Sequence, residues 1–157
     1  MNFVSFLTQN PNAIAKIYGS PNYPDLDGII KFYSTTVGTI VISMVSGLPE
    51  NDDVCSQPVF AFHIHEGGAC SGNDSDFFAD ALTHYNPNSC PHPYHSGDMP
   101  PLFSANGLAF SAFLTDRFSI DEIIGKTVII HDSPDDFTTQ PSGNSGSKIA
   151  CGVIEEY

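Results

Sequence analysis

Basic residues are scarce. Lys16, Lys31, Arg117, Lys126 and Lys148 stand against 18 acidic residues, for a formal net charge of −13. A surface of that sign excludes nucleic acid as a partner, because nucleic acid selects basic patches. It equally excludes binding to anionic membranes. No apolar run approaches the roughly 18–20 residues that a membrane-spanning helix needs. The opening stretch, Met1 to Asn10, has no basic n-region and no apolar core of signal-peptide length. The default expectation is therefore the cytoplasm, with the periplasm or secretion following if a leader has been removed. There is no internal repeat, no heptad pattern and no linker that would split the chain, so residues 1–157 are expected to form one domain with a real core. Histidine is missing from the whole first third: all six lie at or after His63.

What is plentiful is punctuation. Thirteen glycines and twelve prolines cut the chain into short segments, which favours an all-β fold. Residues 13–19 alternate loosely and end at Gly19; residues 29–36 are β-branched and aromatic; residues 38–46 follow after one tight turn, making an antiparallel hairpin. Residues 59–66 read as a fourth strand. A Leu102–Leu114 hairpin is marked by Asn106-Gly107, a strong two-residue turn signal. Ser119 with Glu122 three residues later predicts one capped helical turn. Short strands follow at 127–131 and 148–154. Two long irregular stretches remain, 67–101 and 132–147, and loops of that length in a compact domain are commonly functional. About eight strands with little helix make a Greek-key barrel or sandwich the natural class.

The chemistry starts in Phe62-His63-Ile64-His65-Glu66. Residues two apart on a strand share a face, so His63 and His65 project side by side. Downstream, His92, His95 and Asp98 are spaced by three and three among bends at Pro91, Pro93, Gly97 and Pro100. Two imidazoles and a carboxylate, completed by a third imidazole, form a closed tetrahedral set that suits zinc and would pin the loop. His84 is the candidate third imidazole. His63, His65 and His131 then remain, and an all-imidazole set suits copper. If His84 uses both ring nitrogens it joins both sets, giving four ligands to each with no histidine left over. The four cysteines, Cys55, Cys70, Cys90 and Cys151, are open to reading as disulfides, thiols or ligands.

These residues carry a family resemblance. His63-Ile64-His65-Glu66, His84-Tyr85-Asn86-Pro87, His95-Ser96-Gly97-Asp98-Met99-Pro100, Ile129-Ile130-His131-Asp132 and the tail from Gly143 to Ile154 stand in the order seen in copper/zinc superoxide dismutases. The chain resembles that family from about Ala13 to Ile154, and its bacterial branch more closely. The resemblance implies a flattened eight-stranded Greek-key barrel with two long functional loops. It implies disproportionation of superoxide to dioxygen and hydrogen peroxide by Cu(II)/Cu(I) cycling. It assigns copper to His63, His65, His84 and His131, and zinc to His84, His92, His95 and Asp98, with His84 as bridge and proton donor. Asp135 aligns with a carboxylate that couples the two sites through their imidazoles, and Cys70 with Cys151 aligns with the family disulfide. Family members are commonly dimers, and some bacterial relatives are monomers.

Three departures from the family pattern stand out. Lys148 occupies the position of the usual arginine that guides the anion, and lysine keeps the charge without the planar fork. The net charge of −13 repels an anion at long range, so the expected rate lies below the diffusional ceiling and rises with salt. The loops are compact: His92 and His95 are closely spaced and 132–147 is short. Cys55 and Cys90 have no family counterpart and are either a second disulfide or independent thiols. The alternative function is a superoxide dismutase-like protein that binds or delivers copper or zinc with little catalysis.

Overall fold

The fold comes from a computed structural model that describes residues 8–53, 55 and 58–157. The N-terminal stretch read for a leader lies, as residues 1–7, outside the described residues. Among the described residues there are nine strand segments: β1 Ala13–Gly19, β2 Asp27–Thr35, β3 Gly38–Ser46, β4 Val59–Phe60, β5 Phe62–His65, β6 Leu102–Phe103, β7 Ala109–Thr115, β8 Thr127–His131 and β9 Lys148–Glu156. One short helix, α1 Ile120–Ile123, precedes β8. Seven strands form one curled antiparallel sheet in the order β5-β8-β9-β1-β2-β3-β7, and β4 pairs with β6 apart from it. This is an all-β Greek-key barrel.

Period-two burial explains the layers. Ala13, Ala15 and Ile17 of β1, Ile30 and Phe32 of β2, and Val41 and Val45 of β3 face one core with Phe60, Phe62, Ile64, Leu102 and Ile130. Each fully buried Phe or Ile there contributes about 1.5–3 kcal/mol. The tight turn into β3 runs through Gly38 at φ +136°, a conformation that only glycine adopts freely. In α1 the expected capping forms: the Ser119 backbone N–H and hydroxyl both donate to Glu122 Oε2 at 2.7 Å.

Two expectations are corrected. The predicted fourth strand is broken at Ala61 into β4 and β5, because its halves pair with different partners. Val59 and Phe60 face β6, whereas Phe62 to His65 face β8. Ala61 itself bonds at the end of β8: its N–H donates to the Ser133 carbonyl and its carbonyl accepts from the His131 N–H. The Asn106-Gly107 turn forms with both residues at positive φ, as a two-residue hairpin requires. Its arms then part, however, with β6 on β4 and β7 on β3.

Candidate metal centre and the cavity above it

The site is built on the far face of β5 and β8. Phe62 and Ile64 enter the core, which sends His63 and His65 to the opposite face beside His131 at the end of β8. Residues 67–101 fold back over that face. The Cys70–Cys151 disulfide ties this loop to β9, and Phe78 and Ala81 pack on Ile129 and Cys151 to seat it. Cys55 and Cys90 are free thiols, so the second disulfide considered from the sequence does not form. Along the outer edge of β5 the loop acts as a substitute strand. The Ile64 N–H donates to the Gly97 carbonyl at 2.9 Å, and the Tyr85 N–H donates to the Ile64 carbonyl at 2.8 Å. Gly97 is required there, since a Cβ would lie 2.2 Å from the Ile64 oxygen.

This packing gathers the residues singled out from the sequence into two groups, each with its ligand atoms within 4.8 Å of one another: His63, His65, His84 and His131, and His84, His92, His95 and Asp98. All seven side chains are buried. His84 Nδ1 lies 2.8 Å from Asp98 Oδ1 and 3.4 Å from His95 Nδ1, which leaves its Nε2 for the other group.

Four of the imidazoles are oriented through one nitrogen and offer the other. His63 Nε2–H and His92 Nε2–H donate to the two oxygens of Asp135, both at 2.8 Å; the carboxylate can only accept, so the protons sit on those nitrogens. His65 Nδ1–H donates to the Leu82 carbonyl at 2.9 Å, and His131 Nδ1–H faces the Gly146 carbonyl at 3.4 Å. The offered atoms then conflict unless a cation joins them. His65 Nε2 and His131 Nε2 meet at 3.3 Å, lone pair against lone pair. His63 Nδ1, His84 Nε2 and His92 Nδ1 are buried without a hydrogen-bond partner. The last lies 3.1 Å from Asp98 Oδ2 but out of line for a hydrogen bond. Buried polar atoms normally have partners, so these orphans fit metal coordination.

Electrostatics supports the same state. Burial pushes His65 and His131 well below the ordinary imidazole range, and each adds to the other's shift or gains from His63 and His84. Burial also lowers His63 and His95. These rings are therefore neutral at neutral pH, the form that binds metal. Burial alone would raise Asp135. The hydrogen bonds from His63, the Phe137 N–H and His92 outweigh it and hold the carboxyl at about 2.

A family model for copper/zinc superoxide dismutase (SODC) matches residues 26–154. The chain belongs to the copper/zinc superoxide dismutase family. It is 36% identical over 137 residues to "Superoxide dismutase [Cu-Zn]" of Photobacterium leiognathi, covering 76% of this chain and 79% of that one. It is 32% identical over 142 residues to "Superoxide dismutase [Cu-Zn] 2" of Aquifex aeolicus, covering 81% and 78%. With the Legionella pneumophila enzyme of the same type, identity is 31% over 149 residues, covering 90% and 85%.

A cavity of about 720 Å3 opens over His65, His84 and His131, with Lys148 on its wall. The Lys148 ammonium does not stand free: it donates to Asp76 Oδ2 at 2.7 Å and to the Phe78 carbonyl at 3.0 Å. Sequence reasoning missed Asp76, and it missed two supports of the second group. Arg117 Nη1 donates to the carbonyls of Pro93, His95 and Asp98 at 2.9, 3.3 and 3.3 Å, clamping the ligand loop. Gln140 brackets His92, accepting from its N–H at 2.9 Å and donating to its carbonyl at 2.7 Å. Gly143, at φ +68°, packs against Asp135, where a Cβ would sit 2.0 Å from Asp135 Oδ1.

Asp135 holds one imidazole of each group, so Asp135→Asn is expected to weaken metal binding at both. An amide cannot accept from two N–H groups with separate oxygens, and one of its own N–H donors would face a ring N–H. The expected loss is about 10–100-fold in affinity, read by chelator competition for each metal.

Proposed function

We propose that this chain disproportionates superoxide with copper held by His63, His65, His84 and His131 and zinc held by His84, His92, His95 and Asp98. The observation that carries the reading is the shared imidazole: His84 belongs to both groups, with Nδ1 turned to one and a buried, partnerless Nε2 left for the other. The two donor sets match the two metals by type, all-imidazole for copper and three imidazoles with one carboxylate for zinc. When bound, copper supplies a one-electron couple that serves two superoxide ions in turn, and zinc supplies a fixed positive charge.

The remaining work belongs to the chain. Asp135 and the Leu82 and Gly146 carbonyls hold four of the imidazoles, His63, His92, His65 and His131, in one tautomer and one orientation. The Asp98 side of the centre holds His84 at Nδ1, so that Nε2 can carry a proton to the reduced product. The cavity admits a small anion to His65, His84 and His131, while the loop over β5 excludes larger reductants. Lys148 is the cation that receives the anion. Among the described residues no helix is long and apolar enough to cross a membrane.

The second reading, a copper- or zinc-binding protein with little turnover, gains from one observation: Lys148 is paired with Asp76. Metal analysis combined with a superoxide-consumption assay on copper- and zinc-loaded protein separates the two. Turnover proportional to copper occupancy is expected, with a rate that rises with salt because an acidic surface repels the substrate. Full occupancy of both groups without turnover would overturn the enzyme reading.

A further inference from the structure

Four charged side chains line the cavity above the first group, and three are acidic. Asp74, Asp76 and Asp132 stand against Lys148, the one lysine or arginine among the described lining residues. Lys148 opens β9 beside His131, its cross-strand partner on β8. The position places a cation close to the imidazoles, and what the cation does there depends on its partners.

Those partners are built in. Residues 73–76 form a tight turn, with Asn73 N–H donating to the Asp76 carbonyl and the Ser75 and Asp76 N–H groups donating to Asn73 Oδ1. The turn fixes the Asp76 backbone. One carboxylate oxygen, Oδ1, is committed to the Phe78 N–H at 3.0 Å, and the other, Oδ2, takes the Lys148 ammonium. The Phe78 carbonyl takes a second ammonium hydrogen. Both acceptors come from the loop that the Cys70–Cys151 bond fastens to β9, so they are held against the strand that carries Lys148. Burial raises the Asp76 carboxyl, but the hydrogen bonds from Lys148 and the Phe78 N–H leave it below its ordinary range, and so ionised at neutral pH.

We propose that Asp76 is a restraining residue for anion entry, which holds the Lys148 ammonium on the cavity wall and neutralises it until the pair opens. The Asp76 side chain is 40% exposed, and ion pairs open to water on one side are weak enough to part. An anion entering the cavity competes with the Asp76 carboxylate for the same ammonium. Affinity for small anions, and the rate of superoxide capture, are set by how often that competition succeeds. The inference rests on the proposed function for its substrate, but the Lys148–Asp76 restraint itself is measurable without turnover.

Asp76→Asn tests it. The amide oxygen still accepts from the Phe78 N–H, so the turn is kept while the charge is lost. Asp74→Asn is the control, since it removes one negative charge from the same cavity without touching Lys148. Two readouts apply to the metal-loaded protein. Acylation of Lys148 by an amine-reactive ester, followed by peptide mass spectrometry, is expected to speed up in Asp76→Asn and not in Asp74→Asn. The second-order rate of superoxide consumption at low salt is expected to rise about three- to tenfold in Asp76→Asn and less than about twofold in Asp74→Asn. The gain disappears when Lys148→Met is added. Equal effects of the two Asn variants on both readouts would overturn the proposal, leaving only bulk charge. If the wild-type protein turns over no superoxide, the proposed function fails, and the acylation comparison still decides the restraint.

Discussion

Replacing His84 with alanine is expected to abolish superoxide consumption and to cost the protein both metals at once. The other ligands belong to one group each, whereas His84 belongs to both. Its Nδ1 is within 2.8 Å of Asp98 Oδ1, and its ring centroid is 4.0 Å from that of His63. Alanine leaves three imidazoles on one side and two imidazoles with a carboxylate on the other. A closed structural set thereby becomes an open one. Loss of a partner hydrogen-bonded to a ligand already costs about 10–100-fold, so losing a ligand of both groups should lower turnover by at least about 100-fold. Single-group variants give the comparison. His63→Ala is expected to remove copper and activity while zinc stays, and His95→Ala to weaken zinc first. Copper and zinc stoichiometry after dialysis reads all three. Tight retention of either metal by His84→Ala would sink the shared-ligand assignment.

Reduction of the Cys70–Cys151 bond should produce the largest loss of stability. The bond closes a ring of sequence separation 81. In the chain-entropy argument that restricts the unfolded chain by about 4.5 kcal/mol. For a domain of this size each kcal/mol moves the midpoint by about 2–4 °C, so a fall on the order of 10 °C is expected. The comparison belongs on metal-free protein, because bound metal stabilises independently. Cys55 and Cys90 are free, so a reductant has one bond to break, and the shift reports that bond alone. Reduction is preferable to Cys151→Ser, which would bury a hydroxyl at a site only 1% exposed. A midpoint unchanged within a degree or two would show that the packing of Phe78 and Ala81 on Ile129 holds the loop unaided.

Local chemistry was legible in the sequence and long-range pairing was not. The bounds of β1, β3 and β8 follow from short β-forming runs bounded by Gly19, Gly38, Gly47 and His131. The break at Ala61 could not be read, because nothing in an unbroken apolar run says that its halves will pair with different strands. The parting of β6 from β7 was hidden for the same reason, although the Asn106-Gly107 turn between them was plain. Strand β9 runs on to Glu156 because Ala13 and Ile14 are there to pair with it. The residues of the two groups were readable because few side chain types can coordinate metals, and the structure gathers all six histidines and Asp98 into those groups. Asp76, Arg117 and Gln140 were not, since each acts on a backbone or side-chain group more than twenty residues away. Nothing local to Cys55 or Cys90 decides between a second disulfide and independent thiols, and in the fold both are free.

The substitute strand along β5 has a consequence for the molecule's solution behaviour. β5 is the last strand of the main sheet, and its outer hydrogen-bonding groups are met by Gly97 and Tyr85 from the ligand loop. A terminal strand left open is a template for a strand from another molecule. The segment that carries the second group is therefore also a guard against intermolecular association. A chain whose Cys70–Cys151 bond is reduced is expected to loosen that guard. Phe62-His63-Ile64-His65 would then be offered edge-on to a neighbour, so that self-assembly is held in check by the same loop that carries His84, His92, His95 and Asp98.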